Sequence, residues 1–266
     1  MLIDINAYIG HWPFRQLRGN TLDALVERMN RFGVDQAVVA NINGIFYKAS
    51  DFGNRELHEA INANDEFRKR IIPFAVMNPV LPWWERALEE SHEQLGMKGI
   101  RLYPLYHKYD LTDSRCIELV EAARDRGMTV AIPQRMVDIR QRSWLDVSEE
   151  LDYEDIAMLV REVPDAKYMM LDTRHRVNDE AREILEQADI LFDTTRASGT
   201  PITGLNGASF PYLIDMFGPE KMAFGTGTPF IDYYSPFIRL YAFEEADEQT
   251  KEMIRSGNAR RMLDMD

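Results

Sequence analysis

The sequence predicts a single α/β domain, residues 1–266, folded as one (β/α)₈ TIM barrel with its site at the C-terminal ends of the strands. Its length, 266 residues, is close to the roughly 250 that such a barrel takes. Short apolar runs alternate with longer amphipathic stretches, the rhythm of βα units feeding a parallel sheet. The longest irregular stretches, 10–20, 102–112, 133–151 and 194–206, lie close after strands, the side on which a barrel builds its site.

The elements follow in order. A first strand is expected at 2–5, then a helix over 21–31 with Leu22, Leu25, Val26 and Met29 at helical spacing and Gly33 as its stop. The second strand, 35–40, precedes a helix over 54–64. The third, 71–77, precedes one over 82–95 that ends at Gly96. The fourth, 99–102, precedes one over 113–126 that ends at Gly127. The fifth, sixth and seventh strands, 129–132, 168–171 and 190–192, are followed by helices over 152–163, 179–188 and 208–217. The eighth, 222–224, leads into a C-terminal region of two or three helices. Eight strands with eight crossovers point to a closed barrel, with an open doubly wound sheet as the alternative. There is no internal repeat, low-complexity tract or linker.

Charge narrows the function. Lys and Arg number 31 against 44 Asp and Glu, a net −13, which repels nucleic acid and anionic membrane over most of the surface. No apolar run approaches the roughly 18 residues of a membrane span. The first residues lack the basic and apolar regions of a signal peptide. Cys116 is the one cysteine, so no internal disulfide forms, and a structural thiol in a helix is expected. A soluble, cytoplasmic protein is the expectation.

Several segments carry a family resemblance in the right order. They are Ile3-Asp4-Ile5-Asn6-Ala7-Tyr8-Ile9-Gly10, Gly33-Val34-Asp35-Gln36-Ala37-Val38, Ile72-Pro73-Phe74-Ala75-Val76-Met77-Asn78-Pro79 and Gly99-Ile100-Arg101-Leu102-Tyr103-Pro104. Phe224-Gly225-Thr226-Gly227-Thr228-Pro229-Phe230 and Asn258-Ala259-Arg260-Arg261-Met262-Leu263 complete the set. Together they resemble the strands and terminal helix of the amidohydrolase-related family, in its aminocarboxymuconate-semialdehyde decarboxylase-like branch. The resemblance covers nearly the whole chain and implies a hydrolase or lyase. It also implies pairing through outer helices or loops, so a homo-oligomer is expected, with Trp83 and Trp84 either part of such a contact or engaged in ordinary helix–barrel packing.

The departures are informative. Where the family places His-x-His at the end of the first strand, this chain has Asn6 and Tyr8. No histidine follows the fifth strand, where Gln134 and Arg135 stand. His175 follows the sixth strand but is displaced. The acid expected after the eighth strand is Gly227. Amide and phenol oxygens are weak ligands for a divalent ion, so the expectation is no bound catalytic metal and no other cofactor.

What remains near the strand ends is polar and cationic. Arg101, Arg135, Arg174 and Arg196 could converge on one mouth, where guanidinium forks would hold a carboxylate. Pairing with Asp172, Asp193 and helical carboxylates is the alternative for each. Asp172 and His175 could form an acid–base pair with Tyr8 as a proton donor, provided that the chain turns after Asp172. Asn6, His11, Tyr103, His107, Gln134 and Thr226 are the further expected binding residues for a small anionic molecule. His58 and His92 sit on predicted outer helices and are expected to be structural.

Three functions compete. The first is metal-independent hydrolysis, or C–C or C–O cleavage, of a carboxylate-bearing compound. The second is a binding or regulatory protein that kept the barrel and lost the chemistry. The third is a metallohydrolase with relocated ligands, for which His11, His107, His175, Asp172 and Asp193 are the available donors.

Overall fold

Eight parallel strands hydrogen-bond in sequence order: β1 (Ile3–Ile9), β2 (Gln36–Asn41), β3 (Ile71–Met77), β4 (Gly99–Leu102), β5 (Thr129–Pro133), β6 (Tyr168–Leu171), β7 (Ile190–Asp193) and β8 (Met222–Ala223). The computed structural model describes residues 1–146, 149–173, 177–196, 210–242 and 246–265. β1 meets β8 to close the ring: Ile5 N–H donates to the Phe224 carbonyl at 2.9 Å, and Tyr8 N–H to the Thr228 carbonyl at 2.8 Å. The fold is the expected (β/α)₈ barrel.

Helices cross between strands at Leu22–Phe32, Asp51–Asn62, Trp84–Glu93, Ser114–Asp125, Tyr153–Glu162, Asp179–Gln187 and Phe210–Phe217. Local chemistry sets their starts. The side chains of Thr21, Asp113 and Asn178 each accept a hydrogen bond from a first-turn N–H. Leu22–Phe32 stops at Gly33, which takes the left-handed φ of 65° that glycine adopts without cost. The C-terminal region holds Tyr234–Ala242, Glu248–Glu252 and Asn258–Met262, the last two joined by π-helical Met253–Gly257. Three short helices were not expected: Asn43–Phe46, Asp65–Arg70 and Pro104–His107.

Two apolar layers hold the barrel. One lies between strands and helices and includes Leu25, Leu57, Leu119, Val160 and Leu185; the other fills the barrel with Ile3, Ile5, Phe74, Val76, Met169 and Leu191. Cys116 is buried in the outer layer, and burial pushes its thiol up to about 12, so it stays protonated. Trp83 and Trp84 pack against the same layer. Among the described residues no helix is long and apolar enough to cross a membrane.

Gly99 has a packing reason. A Cβ there would overlap the buried Phe74 ring and stand 2.5 Å from the Thr129 carbonyl oxygen, so backbone would have to move. Gly99→Ala is expected to cost about 2 kcal/mol, in the range of overpacked cores, read as a lowered denaturant midpoint at unchanged slope.

β1 is the strand that shapes the site. Ala37 and Val39 of β2 face the helices, while Val38 and Ala40 face the interior. Asp4 pairs with Ala37 and Ala7 with Val39, so two residues, Ile5 and Asn6, stand where the partner strand has one. This bulge resets the alternation, which puts Asn6 beside the interior and returns Tyr8 to it.

Candidate functional site

Two buried carboxylates, Asp172 after β6 and Asp193 at the end of β7, face β1 across the barrel mouth. Asn6 joins them: its amide N–H₂ donates to Asp193 Oδ2 at 2.7 Å, to Thr195 Oγ1 at 3.2 Å and to Asp172 Oδ2 at 3.3 Å. Tyr8 Oη donates to Asp172 Oδ2 at 3.3 Å. Arg196 pairs with Asp172 from the other side, Nε to Oδ1 at 2.9 Å, and its Nη2 donates to the Met136 carbonyl. The chain turns at Asp172, which adopts a left-handed φ of 58°, a conformation that aspartate tolerates better than most residues.

Burial separates the two acids electrostatically. Arg196, Asn6 and Tyr8 offset part of the cost for Asp172, whose pKa still lies above the usual carboxylate value. Among the described residues no cation pairs with Asp193. Burial and the neighbouring Asp172 charge push it up to about 7, against the donors Thr195 and Asn6. Tyr8 is driven well above the ordinary phenol value by burial and by Asp172, so it keeps its proton.

Arg101 stands on the other side of Tyr8, with its guanidinium 4.5 Å from the ring centroid. It is fully buried. Only Nη2 has protein partners, the Val38 carbonyl at 3.1 Å and the Ile5 carbonyl at 3.4 Å. Among the described residues Nε and Nη1 have no well-formed partner, nor do Tyr103 Oη and Asn6 Oδ1, although the guanidinium lies close enough to Tyr103 to lower its phenol against burial. Buried groups of this kind are normally satisfied, so orphans clustered in one interior need an account. Burial pushes the Tyr103 phenol up to about 12, which leaves it a neutral donor.

The other expected residues sit as follows. Gln134 is buried at the end of β5, and its carbonyl accepts from Leu151 N–H. Arg135 pairs with Glu150 at 2.8 Å. Thr226 donates its hydroxyl to Asp4 at 2.6 Å, a buried acid that also accepts from Asn6 N–H, Thr226 N–H and Tyr233 Oη. His107 is held by the Ile45 carbonyl at 3.1 Å, and burial lowers it to about 4, so it is neutral. His11 is exposed, its ring beside Asn20. Arg174 and His175 lie outside the described residues. The structure therefore brings Asn6, Tyr8, Asp172, Arg196, Arg101 and Tyr103 together. Arg135 is tied to a carboxylate instead, and His11 stands apart.

Rings close the mouth. Trp12 meets Phe14, Phe46, Tyr106 and Phe230 edge-on at 4.9–5.5 Å, and Phe230 meets Tyr8 at 5.5 Å. Gly227 is fixed sterically as well. Its φ is 66°, and a Cβ would stand 2.6 Å from the Thr195 methyl, so this backbone leaves no room for an acid there.

The comparisons with known proteins bear on this geometry. No protein-family model and no curated protein matches the sequence. Solved structures do match. Dihydroxybenzoic acid decarboxylase from Polaromonas, with bound manganese and the inhibitor 2-nitroresorcinol, superposes with a TM-score of 0.73 at 14% identity over 99% of this chain and 97% of that one. 2,6-Dihydroxybenzoate decarboxylase from Rhizobium gives 0.72 at 12% identity over 99% and 98%. 5-Carboxyvanillate decarboxylase from Sphingomonas paucimobilis gives 0.70 at 15% over 100% and 99%. The fold is that of these decarboxylases.

Does the barrel interior fit a divalent ion such as that manganese? Among the described residues, no three His, Cys, Asp or Glu side chains group to hold one. The Asn6 amide N–H₂, not its oxygen, faces both carboxylates, and the Arg196 guanidinium occupies Asp172. Donor groups thus stand where ligands to a cation would have to point, and the described set does not fit the metal.

Proposed function

We propose that the barrel interior binds a small carboxylate compound and moves a proton to it without a divalent metal, in a C–C or C–O cleavage or a hydrolysis. The observation that supports this is Arg101, a fully buried guanidinium with Nε and Nη1 unpartnered. A carboxylate would take those two donors, with Tyr103 Oη as a third. Charge agrees: with Asp193 protonated, Arg101 and Arg196 outweigh Asp172 by one, which a monoanion balances.

Asp193 supplies the proton. Held at about 7, it is half protonated near neutrality, as a general acid should be. The decarboxylases of the same fold favour one balanced step, in which a carboxylate loses CO₂, the bond's electron pair stays on carbon, and that carbon takes the proton. Tyr8 and Asp172 position the group, and His175 is a further proton carrier in the same proposal. Gln134, Arg135 and Thr226 support the ligand from outside this centre, and Arg174 is a further binding residue in the same proposal. The protein works as a cytoplasmic homo-oligomer with no nucleic-acid or membrane partner, in keeping with its net charge of −13.

A binding or regulatory role is the second reading, favoured by the closed ring of aromatic side chains over the interior. Both readings meet one experiment. Chelator-treated protein is titrated with 2,6-dihydroxybenzoate and with succinate at pH 7, in two buffers of different ionisation enthalpy, and CO₂ release is followed. One carboxylate per chain should bind, with uptake of about half a proton, because the ligand's charge raises Asp193 further. CO₂ release marks the enzyme, and binding alone marks the regulator. If carboxylates bind only after manganese or zinc is restored, and Asp172→Asn abolishes that binding, the metal-free reading is wrong.

A further inference from the structure

A second cationic feature lies outside the barrel. A cavity of about 420 Å³ opens between the 15–18 segment, the helix Leu22–Phe32 and the 228–234 segment. Arg15, Arg18, Arg28 and Arg31 all line it, against one acid, Asp232. In a chain of net charge −13, four guanidiniums around one hollow are far from the average surface.

Their partners are neutral. Arg28 Nη1 donates to the Gly19 carbonyl at 2.9 Å and Thr228 Oγ1 at 3.0 Å, and Nη2 to the Arg18 carbonyl at 2.9 Å. Arg15 donates to Gln141 Oε1 at 2.7 Å and the Phe230 carbonyl at 3.4 Å, while its Nε is buried without a partner. Arg18 and Arg31 are exposed. None of the four forms an ion pair with a described residue, although elsewhere Arg55, Arg70, Arg115, Arg124, Arg140 and others do. Burial draws the pKa of both Arg15 and Arg28 down, with the Arg196 charge adding to this at Arg15, while Asp138 near Arg15 and Tyr233, Asp232 and Glu27 near Arg28 act the other way.

We infer that this cavity is an anion site separate from the barrel interior, built for a small organic molecule with two or more adjacent oxyanion groups. Guanidinium forks match phosphate or carboxylate oxygens in pairs. The volume lies in the range of small-molecule pockets, about 300–1,000 Å³, and exceeds what a lone phosphate fills. Phe32 and Tyr234, in edge contact at 4.9 Å, and Ile231 offer a wall for the organic part. Phe230 separates the two sites, since it lines this cavity and packs on Tyr8. Thr228 links them, because Arg28 holds its hydroxyl while its carbonyl accepts from Tyr8 N–H.

The test uses inorganic pyrophosphate and citrate as probes, titrated calorimetrically into the full chain. At least one should bind once per chain with a Kd of about 10 μM at low salt and weaken about tenfold or more at 0.3 M salt. Binding by pyrophosphate alone assigns phosphate esters, and binding by citrate alone assigns polycarboxylates. The double variant Arg18→Glu, Arg31→Glu changes two exposed side chains. It should lose about 30-fold or more in affinity while its melting temperature stays within about 2 °C. Arg101→Met should bind the probe as the parent does. The inference fails if neither probe binds below about 10 mM, if the double variant binds normally, or if Arg101→Met abolishes binding.

Discussion

Arg101→Met is expected to raise the melting temperature and to abolish carboxylate binding. The guanidinium is fully buried, yet only Nη2 is hydrogen-bonded, to the Val38 and Ile5 carbonyls. Its contact with the Tyr8 ring returns up to about 2 kcal/mol. Burying the ion costs several kcal/mol, and among the described residues no carboxylate pairs with it to repay that cost. Methionine keeps the length and apolar bulk and removes the charge, so a gain of about 1–3 kcal/mol is expected, worth about 2–4 °C per kcal/mol in a chain of this size. Ligand affinity should fall about 100-fold or more, since a bidentate charge-assisted contact is lost. Scanning calorimetry and ligand titration read both. A melting temperature that falls while binding survives would make Arg101 a structural residue.

The second large effect belongs to Asp193 and depends on pH. In the unfolded chain this carboxyl has its ordinary value of 3.8, and in the fold it is pushed up to about 7. Below 3.8 both states hold the proton, and the stability that the raised value confers is fully present. As pH rises toward 7 the unfolded chain releases its proton first, so that stability drains away until the folded carboxyl also ionises. Asp193→Asn mimics the protonated form at every pH. The variant gives up only the long 3.3 Å bond from Thr173 N–H, a constant offset. Its melting temperature relative to the parent should therefore climb between pH 4 and pH 8, by about 5 °C or more, and level off above pH 8. A difference that stays flat across that range would place the pKa of Asp193 near its ordinary value, and the proposed acid would have no proton to give. The same variant should bind a carboxylate but release no CO₂.

How much of this was legible in the sequence depends on range. Strands β3 and β6 lie where their apolar runs predict, because a strand buried on both faces writes itself as a nearly continuous run, and β4 lies where predicted although Arg101 interrupts it. β1 was expected at 2–5 and runs from Ile3 to Ile9. Asp4 and Asn6 interrupt its apolar pattern, and their burial is repaid by Thr226, Tyr233 and Asp193, residues more than 180 positions away. The helices Asn43–Phe46 and Pro104–His107 are each one turn long, too short for a period to declare itself.

The site divides in the same way. Asn6, Tyr8, Asp172 and Arg196 were visible as polar residues at strand ends. Of the four arginines expected near one mouth, Arg196 sits on Asp172 and Arg135 on Glu150, Arg101 is buried beside Tyr8, and Arg174 lies outside the described residues. Asp193 was seen only as a possible partner or ligand, because its raised pKa comes from desolvation and from Asp172, which are properties of the packed barrel. Thr195, which donates to Asp193, and the carboxylate of Asp4 carry no motif at all.

The bulge in β1 has an evolutionary reading. One extra residue between Asp4 and Ala7 decides which way the rest of the strand points. Removing Asn6 would restore strict alternation, leave Ile5 alone opposite the inward-facing Val38, and deprive the acids of β6 and β7 of the amide that joins them, with the barrel itself intact. A lineage could thus switch this interior off, or on again, with a single codon deleted or inserted, while every point substitution along the strand leaves its phase unchanged.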